Sequence, residues 1–167
     1  SELADLITMK QDLDLVVRTC DEVIGLSSAV EIPVGEKVFA VRALWEAAII
    51  AYGRSFVGGV SAGGGGRTRY PVAVLEQLNA TDLAVHKHFL ELRQKHVGHR
   101  VNDWTRVLIT GVLLPIGGER GVLQVGTKTL SVVGGPSSTE DLRRVALTLG
   151  ESLGPRIDEL SAQILAW

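Results

Sequence analysis

The stretch "EIPVGEKVFAVRALWEAAIIAYGRSFVGG", residues 31–59, contains the clearest helical pattern in the chain. Its large apolar residues recur every three or four positions, a spacing that places side chains on one face of an α-helix. This apolar stripe consists of Val38, Val41, Trp45, Ala48, Tyr52 and Phe56. The glycine pair that follows, at positions 58 and 59, ends the pattern. The stretch therefore predicts a long amphipathic helix in a mainly helical protein.

Further helical patterns lie on both sides of this stretch and predict a bundle. An apolar repeat from about residue 3 to residue 27 predicts a first helix. A second repeat, from Asp82 to about Arg100, predicts a third helix with Thr81-Asp82 as its N-cap. Between the second and third helices, "VSAGGGGRTRYP" contains four consecutive glycines. It predicts a loop, because glycine loses the most backbone entropy on ordering.

The periodicity changes in residues 105–134, which are rich in Val, Ile, Leu and Thr. Glycines at 117, 118 and 126 interrupt this segment. Short β-prone runs separated by glycines are typical of antiparallel strands joined by turns. The segment therefore predicts a small antiparallel meander of two or three strands.

The end of the chain returns to a helical pattern in residues 137–167, with an N-cap at Ser138 or Thr139. Gly154-Pro155 should interrupt or kink this last helix. The predicted fold is mainly α: a single domain over residues 1–167, with four to five helices. The β meander would be inserted at about 105–134, before the last helix.

Composition limits the classes of function. A length of 167 residues with 46% hydrophobic content suits one compact domain, and a net charge of −2 gives no general attraction for nucleic acid. Any contact with nucleic acid must come from a local patch. The single cysteine, Cys20, lies in an apolar helical pattern and is expected in the core of a protein from a reducing compartment. Without a leader pattern or an 18-residue uncharged run, we expect a cytoplasmic protein with no membrane contact.

A local cationic cluster lies in "LELRQKHVGHR", residues 90–100. Its members are Arg93, Lys95, His96, His99 and Arg100. Cations often collect at a helix C-terminus because the last carbonyls carry partial negative charge. On a helical wheel of about 100° per residue, however, part of the cluster falls between two groups of apolar side chains. The residues in this predicted buried arc are His86, Arg93, His96 and Arg100, and those on the opposite, polar side are Lys87, Glu91, Gln94 and Lys95.

An arginine in a buried arc requires compensation for its lost hydration. One candidate is an acid from another helix, such as Glu46, although Arg42 lies four residues before Glu46 and can pair with it. The other candidate is a cleft or subunit interface that binds anions. Spacing alone leaves both open for Arg93.

Arg93, His96 and His99 follow one another at intervals of three and form a slanting row on the predicted helix. An arginine suited to hold a phosphate and a histidine suited to move a proton would then lie side by side. No cysteine or acid lies in the row, so we expect no metal. We expect His86 and His88 to be packing or surface residues, and His88 not to be a metal ligand.

The segment "LRQKHVGHRVNDW", residues 92–104, resembles the signature of the HEPN superfamily of helical domains, an arginine followed after four to six residues by a histidine. Here five residues separate Arg93 from His99. The resemblance covers about residues 38–104 and includes the aromatic-rich second helix. The residue after the arginine is commonly Asn, Asp or His in that family, and here it is Gln94.

The resemblance implies a homodimer that brings two such motifs together across a cleft and cuts RNA without a metal or other cofactor. Such proteins often act in phage defence or in toxin–antitoxin systems, which implies an antitoxin or regulatory partner. His99 would be the general base and Arg93 the phosphate clamp, with His96 as a further catalytic residue. Gln94, Lys95 and Arg100 would bind substrate. Glu46 and Arg42 would have structural or pairing roles.

Two other hypotheses remain. In the first, the chain is a non-catalytic HEPN-like dimerisation or nucleotide-binding module, with Arg93 held by an acid and His99 buried. In the second, it is an unrelated helical regulatory protein whose β-segment binds a partner strand.

Overall fold

The computed structural model describes residues 1–56, 70–76, 78–97, 105–116, 119–131 and 135–166. The helices are α1 (Glu2–Ser28), α2 (Val34–Phe56), α3 (Val72–Leu75), α4 (Ala80–Leu92), α5 (Pro136–Ser152) and α6 (Gly154–Leu165). A π-helical turn, Arg93–Val97, continues α4, and two strands follow it, β1 (Thr105–Ile116) and β2 (Glu119–Ser131). The prediction of a mainly helical bundle is confirmed, with five helices longer than one turn in the described residues. None of the helices in these ranges has the length and apolar character that crossing a membrane requires.

The core lies where α1 packs against α2 and α5 and where α4 packs against the same two helices. The buried residues of α1 have helical spacing, as predicted: Leu6, Met9, Leu13, Val16, Cys20 and Val23. Cys20 is a core residue, and burial raises the pKa of its thiol to about 12. The thiol therefore stays protonated near neutral pH.

The predicted stripe of α2 is buried only in its C-terminal half. Trp45, Ala48 and Tyr52 are buried, but Val38 is 56% exposed and its neighbour Phe39 is 76% exposed. Periodicity identifies the apolar face of a helix, but it does not show how far the neighbouring helices cover that face. Val38 therefore belongs to the apolar face of α2 but not to its buried part.

The helix α4 begins two residues earlier than predicted, with Asn79 as its N-cap. Asn79 Oδ1 accepts a hydrogen bond from the Asp82 backbone N–H at 2.9 Å, and Asn79 Nδ2 donates to Asp82 Oδ2 at 2.8 Å. Asp82 is buried, and its other carboxylate oxygen binds Arg144 Nη2 of α5 at 2.9 Å. The Thr81-Asp82 cap was wrong because Asp82 lies in the first turn, where it acts as the reciprocal partner of the cap.

Between α4 and α5 the described backbone forms one antiparallel pair of strands, from Thr105 opposite Ser131 to Ile116 opposite Glu119. The register shifts by one residue between Val112 and Leu113. The described residues contain this one antiparallel pair, so the predicted meander is not supported beyond two strands. Gly126, which we expected to end a strand, lies inside β2 opposite Thr110, a position that a strand tolerates.

The helix α5 also starts earlier than predicted. Its N-cap is Gly135, without a side-chain cap, and Pro136 occupies the first turn, where its fixed φ and missing N–H suit a helix start. The caps predicted at Ser138 or Thr139 are therefore wrong, and the Thr139 hydroxyl donates instead to the Gly135 carbonyl at 3.1 Å. The predicted interruption near Gly154-Pro155 is confirmed, because α5 ends at Ser152 and α6 begins at Gly154.

Candidate functional site

The cationic cluster begins at a change in helix type. The α-helical hydrogen-bonding pattern of α4 gives way at Arg93 to a π-helical turn that extends to Val97. Such turns are rare and occur frequently at functional sites. The turn contains four of the residues predicted to form the site, Arg93, Gln94, Lys95 and His96. The angles of an α-helical wheel do not apply beyond Arg93, so the predicted row of side chains stays a prediction.

Up to that point the wheel located the buried face of α4 well. Phe89 and Leu92 are buried, and the gap that we predicted to be buried holds His86, which is buried, and Arg93, which is half-buried. Lys87 and Glu91 are exposed, as expected for the polar side. The arginine of the motif therefore lies against the bundle and not on its solvated face.

Arg93 packs directly on Gly53, in the last part of α2. A Cβ atom placed on Gly53 would lie 2.7 Å from Arg93 Cγ, 2.9 Å from Cδ and 3.1 Å from Nε. Real Cβ atoms essentially never approach another atom so closely, so any side chain at position 53 would displace the arginine. Glycine thus provides the space through which the Arg93 side chain runs.

Arg93 lines a cavity of about 300 Å³. The described residues around this cavity are Phe56, Leu90, Arg93 and Gln94. A cavity of this size lies at the lower end of the range for small-molecule sites, roughly 300–1,000 Å³, and such sites combine apolar walls with a few polar groups. Here Phe56 and Leu90 supply the apolar wall, and Arg93 and Gln94 supply the polar groups.

The acid proposed as a partner for Arg93 is engaged elsewhere. Glu46 Oε1 accepts from Arg42 Nε at 2.8 Å within α2, which confirms the predicted Arg42–Glu46 pair. The described part of the chain contains no ion pair of Arg93 with an acid. A guanidinium that lies beside a cavity and has no carboxylate partner among the described residues is suited to bind an anion.

Lys95, which we predicted to bind substrate, is exposed and forms an ion pair with Glu91, one turn earlier on α4. This arrangement is typical of a solvated helix face. Gln94 is also exposed, but it lines the cavity together with Arg93. The structure therefore brings Arg93 and Gln94 to one cavity, whereas Lys95 is not among its described lining residues.

Phe56, which lines the cavity, also belongs to an aromatic cluster. The Phe56 ring contacts the rings of Tyr52 at 4.9 Å, Tyr70 at 4.9 Å and His86 at 4.7 Å between centroids. Tyr70 is buried, and its hydroxyl donates to the Leu149 carbonyl of α5 at 2.7 Å. Rings packed on several sides lose rotational freedom, so Phe56 is held in one orientation.

His86 belongs to this cluster as a packing residue. Its Nδ1 lies 2.8 Å from the Tyr52 hydroxyl, and burial, followed by the charge of Lys87, lowers the pKa of the imidazole. Burial also raises the pKa of Tyr52, which keeps its proton and is suited to donate to Nδ1. His86 is therefore a neutral core histidine, one of the two roles that we expected for it.

His88 is exposed, and its ring contacts the ring of Phe89 at 5.2 Å between centroids. It also lines a second hollow, of about 230 Å³, between α4 and the start of α5. The residues that the structure describes contain no group of three or more His, Cys, Asp or Glu side chains placed to hold a metal ion.

The structure does not describe the side chains of the remaining predicted site residues. His99 and Arg100 lie outside the described residues, and His96 is described only as part of the backbone of the π-turn. Their roles therefore stay predictions.

Sequence reasoning missed Gly53, Phe56 and Leu90 as parts of the site. Gly53 carried a signal, because a glycine inside an aromatic-rich helix costs stability and usually has a packing reason. Phe56 and Leu90 carried none, since an apolar residue on the inner face of a helix is normally a core residue.

Comparison of the chain with known protein families, with curated proteins and with solved structures found no significant match.

Proposed function

We propose that the Arg93 cavity binds a phosphate of RNA and that the chain is a HEPN-like, metal-independent endoribonuclease. The observation that supports this proposal is the position of Arg93, half-buried beside a cavity and without an acidic partner in the described residues. Of the two kinds of compensation expected for a buried arginine, an acid or an anion site, the second agrees better with this arrangement. The identity of the anion comes from the resemblance of residues 92–104 to the HEPN signature.

In the proposed reaction the nucleophile belongs to the substrate. His99 removes the proton of an RNA 2′-hydroxyl, and the 2′-oxygen attacks the adjacent phosphorus while the bond to the 5′-oxygen breaks. Arg93 stabilises the negative charge on the phosphoryl oxygens with its planar pair of donors. His96, or the same residue of a second copy, gives a proton to the leaving 5′-oxygen. The products are a 2′,3′-cyclic phosphate and a 5′-hydroxyl.

We also propose the homodimer and the regulatory partner that the resemblance implies. Two copies form a homodimer, mainly through the second and third predicted helices, so that two motifs face one cleft. The exposed apolar residues at the start of α2, Val38 and Phe39, are consistent with such a contact. An antitoxin or regulatory partner would control the activity. Light scattering at tens of micromolar should give the mass of a dimer, and the mass of a monomer would contradict the proposal.

The decisive experiment measures RNA cleavage and thermal stability on the same variants. Arg93→Ala and His99→Ala should each lower the cleavage rate on the order of 10²-fold or more. Arg93→Lys should restore activity only in part, because a point charge does not replace a bidentate fork. Arg42→Ala is the matched control, since Arg42 is an exposed arginine paired within its own helix.

The chemistry gives three further readouts. Cleavage should persist in EDTA, leave a 2′,3′-cyclic end and disappear when the nucleotide at the cut site lacks its 2′-hydroxyl. A wild-type protein that cleaves no RNA would refute the nuclease. It would favour a non-catalytic module, for which the tight packing of Arg93 on Gly53 is a purely structural contact.

A further inference from the structure

We propose that the apolar wall of the cavity, formed by Phe56 and Leu90, takes the base of the nucleotide whose phosphate Arg93 binds. This inference rests on the proposed function, because it assumes that the anion at Arg93 is a nucleic-acid phosphate. It adds a base-stacking residue, Phe56, and a residue that contacts the base edge, Gln94.

The composition of the cavity favours a ligand larger than a simple anion. A site for a small inorganic anion needs only donors and positive charge, but half of the described lining residues here are large and apolar. The expected ligand therefore has an apolar face next to its negative charge. A nucleotide has this combination, because a flat base lies one sugar away from each phosphate.

Phe56 is held by three neighbouring rings. Tyr52 and Tyr70 contact its ring at 4.9 Å each, with interplanar angles of 51° and 47°, and His86 meets it nearly edge-on at 4.7 Å and 77°. These contacts fix the ring but leave Phe56 half-buried, with part of its surface on the cavity. A ring that is already ordered loses little entropy when a base stacks on it.

Gln94 places a polar side chain at the same cavity. It follows Arg93 in the π-turn, is exposed and lines the same cavity. Its side-chain amide offers both donors and an acceptor, the combination that forms paired hydrogen bonds with the edge of a base. Gln94 would thus contact the base that stacks on Phe56.

The test compares ligands that share a phosphate and differ in the base. Isothermal titration of the full chain with AMP, UMP and ribose 5-phosphate should show that at least one nucleotide binds about tenfold to a hundredfold more tightly than the sugar phosphate. Phe56→Leu should remove this advantage and leave the affinity for ribose 5-phosphate unchanged. Leu147→Ala is the control, because Leu147 is an exposed apolar residue of α5 that belongs neither to the described cavity lining nor to the proposed dimer contact.

Phe56→Leu also removes contacts in the aromatic cluster and could lower stability. The test therefore includes a second variant and the affinities of the wild type for the three ligands. Gln94→Ala changes an exposed side chain and should weaken nucleotide binding without affecting the sugar phosphate. Equal affinities of the wild type for nucleotides and ribose 5-phosphate, or no nucleotide binding at millimolar concentration, would overturn the inference.

The outcome is separable from that of the nuclease. If the protein cleaves RNA but binds AMP, UMP and ribose 5-phosphate with equal affinity, the base-binding role of the cavity wall is refuted and the proposed function stands. If nucleotides bind through Phe56 but no RNA is cleaved, the wall stands and the nuclease fails.

Discussion

Gly53 of α2 and Arg93 at the end of α4 are in such close contact that a Cβ on Gly53 would lie 2.7 Å from Arg93 Cγ. The path of the arginine side chain is therefore set by a residue on a different helix. This makes Gly53 a positioning residue for the cavity, although it has no side chain of its own.

Gly53→Ala should displace Arg93 without removing it. The two closest atoms, Arg93 Cγ and Cδ, lie in the stem of the side chain, so the whole arginine must shift. Alanine improves helix propensity by about 1 kcal/mol and overpacking costs about 1–3 kcal/mol, so we expect the free energy of unfolding to fall by about 0–2 kcal/mol. The affinity for an RNA oligonucleotide should fall by roughly tenfold, because a fixed guanidinium fork depends on its geometry. Calorimetric binding and thermal melting of the same variant measure both effects.

Gly25→Ala is the matched control for this variant, since no atom lies within 4 Å of a Cβ at that helical position. It should stabilise the protein and leave RNA affinity unchanged. If Gly53→Ala behaves in the same way as Gly25→Ala, the contact with Arg93 has no role in binding.

Arg93→Met should separate the packing of the arginine stem from its charge. Methionine keeps an unbranched apolar chain against Gly53 and removes the guanidinium. We expect a melting temperature within about 2 °C of the wild type, because no described acid loses its partner, and an RNA affinity with a weaker salt dependence. A drop of many degrees would instead show that Arg93 neutralises a buried acid.

The protein should lose stability as the pH falls below about 6.5, the ordinary pKa of histidine. The folded state lowers the pKa of His86 by burial, so below this pH the unfolded state binds more protons. The free energy of unfolding therefore decreases between the ordinary pKa and the lowered one, and the contribution of His86 is fully present above pH 6.5.

Urea titrations at pH 7.5 and pH 5 measure this effect. His86→Gln replaces the imidazole by a group that does not titrate, and it should flatten the pH dependence. His88→Gln changes an exposed histidine of the same helix and should leave the pH dependence of stability unchanged. An identical pH dependence of the His86 variant and the wild type would contradict the assignment.

Two consecutive arginines of α5 should differ in their effect on stability. Arg144 binds Asp82, whose side chain is only 12% exposed, whereas Arg143 binds Asp21, which is 51% exposed. Arg144→Ala should lower the free energy of unfolding by about 1–3 kcal/mol, since a buried carboxylate loses a charged donor. Arg143→Ala should change it by about 0–1 kcal/mol, as is usual for a surface pair. Chemical denaturation of the two variants measures both changes in the free energy of unfolding. Equal changes would contradict the stabilising role of the Asp82–Arg144 pair.

The sequence predicted the faces of helices better than their ends. Helical spacing placed Trp45, Tyr52 and His86 in the core correctly, because burial follows the apolar face of a helix. The predictions failed at the Asn79 cap and at Gly126, where the outcome depends on a reciprocal side-chain bond or on a paired strand.

The candidate site was predictable in the same uneven way. Arg93 and Gln94 were identified from the motif, but their cavity was not, because its walls come from residues distant in sequence. The π-turn at Arg93–Val97 also had no signature, since a change from α to π hydrogen bonding depends on packing more than on residue type.

The contact between Asp82 and Arg144 has a consequence for the length of the chain between them. Together with the bond from Tyr70 to the Leu149 carbonyl, it fastens α5 to the segment that precedes the β-hairpin. These two contacts join the part of the bundle before the strands to the helix that follows them. The closure entropy of an intervening segment rises by only about 0.6 kcal/mol for each doubling of its length. The hairpin is thus a place where this protein can gain or lose residues, or accept a grafted sequence, while the helical scaffold keeps its arrangement.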